Sequence, residues 1–173
     1  MSAAQRRVYD LIRSSPRGVV EGPLRVWLNN PELAEHAQAL GGYCRYKTSL
    51  EPRLSELAII TVGAHWRAGF EWAVHAPIAE RAGIASSAIA DIRSEREPAL
   101  KDDEAAVYSF TRELLLTHQV SAATFERVTA IVGVAGAVDL VGILGYYSLI
   151  CMTINAFHVP IPAGIPEPFE PPG

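Results

Sequence analysis

From Ala130 to Phe157 the chain carries a single formal charge, Asp139. A stretch so long and so apolar leaves two ways to fold. It either crosses a bilayer or forms a central helix covered by the rest of the protein. Asp139 and Asn155 lie inside it, no cluster of basic residues flanks it, and a proline-rich segment follows it in place of an anchor. A charged side chain deep in a membrane is costly. We therefore expect a helix buried on all sides, with subunit contacts helping to cover it, and no membrane association.

The remaining sequence has helical periodicity and almost no strand signal. Val8, Leu11 and Ile12 form one stripe of a first helix that ends before Pro16. A short turn follows Pro23, and Asn30 is placed to cap a helix opening at Pro31, where proline is tolerated. Gly41-Gly42 should interrupt or bend that helix. Further helices are expected from Pro52 to about His65, from Phe70 to Arg81 with Gly83 as a left-handed cap, and from Ser86 to Ile92. Another starts at Asp102 or Asp103, and Ser121 caps the last, which the small-residue run Gly133–Gly136 should bend. The fold class is all-α, with about six to nine helices in antiparallel pairs. Residues 1–158 read as one helical domain and 159–173 as an extended proline-rich tail.

Composition excludes several functions. With 15 Lys and Arg against 19 Asp and Glu, the net charge is −4. Phosphate contacts supply most nucleic-acid affinity, so an acidic chain without a basic run is a poor candidate for that role. Cys44 and Cys151 are the only cysteines, a pattern of buried thiols in a reducing compartment. The N-terminus lacks the continuous apolar core of a signal peptide, which points to the cytoplasm.

The densest cluster of reactive side chains runs from Glu56 to His75. Glu71 and His75 are four apart and share a helix face. A carboxylate beside an imidazole orients it and raises its pKa, which prepares it for acid–base work. The flanking sequence, Phe70-Glu71-Trp72-Ala73-Val74-His75-Ala76, is otherwise apolar. Polar groups buried there need partners, so such a cluster is informative. An isolated E-x-x-x-H is more often structural.

The run Arg53-Leu54-Ser55-Glu56-Leu57-Ala58-Ile59, then Glu71-Trp72-Ala73-Val74-His75-Ala76-Pro77-Ile78-Ala79 and Ala82-Gly83-Ile84, resembles the carboxymuconolactone decarboxylase and AhpD-like family. Tyr146-Tyr147 and Asn155-Ala156-Phe157 resemble its last helix. The resemblance spans most of residues 31–158 and implies an AhpD-like helical bundle assembled as homotrimers or homohexamers. The hydroperoxidase branch resembles E…C-x-x-C-x-x-x-H, and counting back from His75 puts its two cysteine positions at Ala68 and Glu71. Peroxidase chemistry is thereby disfavoured. The decarboxylase branch fits, and implies a lyase that needs no metal or organic cofactor, because the electrons left by carbon dioxide spread into a conjugated carbonyl.

On this reading His75 is the principal acid–base group, Glu71 tunes it, and Glu56 is a second carboxylate. His65, Trp72, Arg45 and Tyr147 are candidates for substrate binding. Arg53 and Arg67 could also hold a carboxylate, and Tyr43 and Tyr146 could donate to a carbonyl. Each has a packing or surface alternative. His65, Glu71 and His75 could also ligate a metal, but H-E-x-x-H spacing is missing. The expected partner is a small carbonyl-bearing molecule. Other readings are a related enzyme of dehydration, isomerisation or carbon–carbon cleavage, and an oligomeric binding protein without turnover.

Overall fold

A computed structural model describes residues 1–170. Its described residues form eight helices and no strands. They are α1 (Ala3–Arg13), α2 (Pro23–Trp27), α3 (Pro31–Tyr46), α4 (Pro52–His65), α5 (Gly69–Ala82), α6 (Ser86–Arg93), α7 (Asp102–Thr117) and α8 (Ala122–Ala156). The all-α expectation holds. The caps hold as well: the side chains of Asn30 and Ser121 accept from the backbone N–H of Leu33 and Thr124.

Helix α4 is the axis of the molecule. It packs against α5, α6, α7 and α8, and every residue from Leu54 to Ala64 is buried. Its large apolar side chains, Leu57, Ile59, Ile60 and Val62, are sealed from solvent, and each contributes about 1.5–3 kcal/mol of burial free energy. Glu56 sits in this run, so the fold places a carboxylate in its most enclosed helix.

The expectation for the uncharged stretch needs correcting. Within the chain α8 is not buried on all sides. Leu140, Ile143, Leu144 and Ile150 face the core, while Val134, Val138, Val141 and Met152 lie exposed on the opposite stripe. The helix is long and apolar enough to cross a membrane by length and composition, with 39% of its most apolar window buried in the chain. Helix α4 is the fully enclosed element instead.

Two glycine expectations divide. Gly133 breaks the helical path of α8 with φ 71° and ψ 174°, as the small-residue run suggested. Gly41-Gly42 does not interrupt α3, which runs on to Tyr46. A side chain at Gly41 would collide with the Tyr146 hydroxyl and Arg17, so this glycine permits a close approach rather than a turn.

The expected tail is irregular over residues 159–170, and residues 171–173 lie outside the described residues. It folds back onto α5. Phe169 is buried edge-on against Trp72, ring centroids 5.5 Å apart, and Arg67 donates to the Glu170 carbonyl at 3.1 Å.

Candidate active site

Helix α5 opens after a tight reversal in which Arg67 has φ 49°, and it closes at Gly83 with φ 107°. Between these ends Glu71 and His75 lie one turn apart on a single face, opposite Glu56 of α4. All three are buried. The His75 ring is held at both nitrogens: Nδ1 is 2.7 Å from Glu56 Oε2, and Nε2 is 3.1 Å from Glu71 Oε1. Burial alone would disfavour the imidazolium, but the charges and hydrogen bonds of Glu71 and Glu56 outweigh it and raise the pKa to about 9. His75 is therefore positively charged at neutral pH. Removing His75 would leave two buried carboxylates without a counter-charge, at a cost of about 3–5 kcal/mol.

A cavity of about 320 Å³ reaches this group. Glu71 and His75 line it, whereas Glu56 stands behind the imidazole. Arg17, Arg45, Tyr146 and Tyr147 line it too, with Phe70 and Val74 among its apolar walls. The Tyr147 ring meets His75 edge-on at 5.3 Å and Tyr146 at 5.2 Å. Burial keeps the Tyr147 hydroxyl protonated by pushing its pKa well up, so it can donate a hydrogen bond. Among the described residues that hydroxyl has no partner.

The structure thus joins His75, Glu71, Glu56, Arg45 and Tyr147. It does not bring His65 or Trp72 to them. His65 ends α4, nine residues from Glu56, which on a helix of 3.6 residues per turn is the opposite side. There it meets Trp66 edge-on at 5.8 Å, and burial and nearby Arg112 lower its pKa. Trp72 packs beneath Phe169 and lines a separate hollow with Pro77 and Ile89. Arg53 is committed to Asp103 and Glu104, each at 2.5 Å. Arg67 lies at the surface beside the tail, and Tyr43 donates to Asp139 at 2.6 Å. Cys44 and Cys151 are buried free thiols outside the cavity lining, and burial raises the pKa of both.

Sequence reasoning missed Arg17. It lies in the α1–α2 loop and donates to the Tyr146 hydroxyl at 3.0 Å, across 129 positions of chain. Its one local mark is a place between Pro16 and Gly18, where a polar side chain on a connecting loop can be functional.

An all-α core with a buried acid–base group facing a small cavity defines the class. Residues 31–113 match the model of the carboxymuconolactone decarboxylase family. The fold resembles the crystal structure of a protein of unknown function from Agrobacterium tumefaciens, described as a suggested antioxidant defence protein AhpD. That likeness has a TM-score of 0.71 at 16% identity and covers 83% of this chain and 99% of the other. No curated protein matches the chain. Glu56, Glu71 and His75 fall inside the matched segment, and Arg17, Tyr146 and Tyr147 fall outside it.

Proposed function

We propose that this protein is a cofactor-independent lyase of the carboxymuconolactone decarboxylase type, acting by acid–base chemistry on a small carbonyl-bearing substrate. The observation that carries the reading is the buried line Glu56–His75–Glu71, with its Glu71 end open to a cavity of about 320 Å³. Ala68 and Glu71 occupy the positions where a thiol peroxidase would need cysteines. The two cysteines present are held away with raised pKa values, which weakens a thiolate nucleophile.

In such a reaction the bond to the departing carboxylate breaks and its electron pair passes into the conjugated carbonyl. The Tyr147 O–H can donate to the enolate oxygen that forms, in a site dry enough to make the donation strong. The proton needed at carbon comes from the Glu71–His75 pair, with Glu71 as the group at the cavity. Glu56 stabilises the imidazolium before transfer, and solvent restores the proton afterwards. The same parts serve dehydration or isomerisation next to a carbonyl, since both require a proton to be moved at carbon. Self-association and a cytoplasmic location belong to this reading.

The test is ultraviolet-monitored turnover of γ-carboxymuconolactone by the parent, Glu71→Gln and His75→Gln proteins. We expect turnover by the parent and a loss of about 100-fold or more in each folded variant. A folded parent without turnover would sink the named substrate. Variants as active as the parent would sink the roles of Glu71 and His75.

A further inference from the structure

The cavity that reaches Glu71 has a second chemical end. Arg17 and Arg45 line it, and among the described residues neither is in an ion pair with a carboxylate. In a chain with more acidic than basic residues, two unpaired arginines at one half-buried cavity are informative. Arg17 Nη2 donates to Tyr146, while its Nε is buried without a hydrogen-bond partner. Tyr147, 2% exposed, lines the same cavity, and its hydroxyl is a second buried donor without a partner. Buried donors left unmade are costly, so a site that keeps them is built to receive an acceptor. Glu21 also lines the cavity, and it lies exposed at the rim.

We propose that Arg17, assisted by Arg45, is the specificity-determining anchor for a carboxylate that the substrate keeps throughout the reaction. This rests on the acid–base reading of Glu71 and His75, and it names the substrate class as a small oxo acid whose reacting carbon lies away from its anchored carboxylate. The opposite assignment, in which the arginines hold the departing carboxylate, runs against the chemistry. A carboxylate leaving as carbon dioxide loses its negative charge as the bond breaks. A guanidinium pair would stabilise it most before reaction and so raise the barrier. A retained carboxylate keeps its charge, and its binding energy can hold the reacting carbon beside Glu71. The like charge of Glu71 favours the same orientation, with the anchored carboxylate at the arginine end.

The test is calorimetric binding of 4-oxocyclohexanecarboxylate and of its uncharged carboxamide to the full chain. The parent is compared with Arg17→Met, Arg17→Lys, Arg45→Met and Glu71→Gln, each checked for folding by circular dichroism. We expect the parent to prefer the acid over the amide by about 10-fold or more. Arg17→Met should lose that preference, Arg17→Lys should recover part of it, Arg45→Met should reduce it, and Glu71→Gln should keep it. If Arg17→Met does not fold, a preference diminished in both Arg17→Lys and Arg45→Met supports the anchor in its place. Failure of the acid to bind, equal binding of acid and amide by the parent, or an undiminished preference in both arginine sites' variants overturns the proposal. Because binding is read without turnover, the two readings fail separately. Preference without lactone turnover counts against the lyase alone, and turnover without preference counts against the anchor alone.

Discussion

His75 shows how a single residue ties stability to chemistry. Its folded-state pKa of about 9 lies above the ordinary value of 6.5. The protonated ring therefore stabilises the fold fully below about pH 6.5, and that contribution is lost as the pH rises through about 9. A shift of this size corresponds to a few kcal/mol at most. We expect the urea midpoint of the parent to fall between pH 7 and 10, and His75→Gln to flatten that part of the profile. In Glu56→Gln the amide can still hydrogen-bond the ring but carries no charge, so the imidazole should titrate at lower pH by NMR. A parent stability that does not change from pH 7 to 10 would contradict the charged pair. At this scale the sequence was legible in part. Glu71 and His75 are neighbours by helical spacing alone, and Glu56 came through the family resemblance. Arg17 was not legible, because its contact with Tyr146 depends on how the α1–α2 loop lies against α8. His65 was misplaced because proximity in sequence hid a half-turn of α4.

The helices were largely legible as elements because their ends carry strong local chemistry: Asn30 and Ser121 as N-caps, Pro31 and Pro52 in first turns, Gly83 in the left-handed region. Glycine inside a helix was harder to read. Gly41 and Gly133 look alike in sequence, yet one serves a side chain from another helix and the other serves the backbone. Gly133 has open space where a Cβ would stand, and its φ of 71° is the constraint. Gly133→Ala should then destabilise α8 by about 1–3 kcal/mol through backbone strain, without a clash. Gly41→Ala should act by a different route, forcing Tyr146 and Arg17 apart and weakening the carboxylate preference described above. Equilibrium urea unfolding, combined with the binding assay, separates the two. Loss of stability alone is expected at position 133, and loss of both at position 41. An unchanged midpoint for Gly133→Ala would show that α8 can straighten through the kink at no cost.

For the whole molecule, the question left by the fold is what covers α8. The enclosed role expected for it belongs to α4, which is buried at every position from Leu54 to Ala64, whereas α8 packs against α2, α3, α4, α5 and α7 and still leaves its outward stripe open. Its outward stripe of Val134, Val138, Val141 and Met152 carries no charge, and Leu33 and Leu40 of α3 are exposed as well. Exposed apolar surface of this kind favours association with another apolar surface. We expect copies of the chain to pair through this stripe, because the Asp139 carboxylate is buried and accepts from Tyr43 and Ser49 inside the chain, so its charge does not face the contact. Light scattering after size exclusion should report an oligomer for the parent and a smaller species for Val138→Glu. That variant adds a charge at a position where the isolated chain has room for it. A monomeric parent in aqueous buffer would remove self-association from the account. Partition of the parent into the membrane fraction on expression would instead identify lipid as the cover, and the uncharged length of α8 would then have to be read as the bilayer would read it.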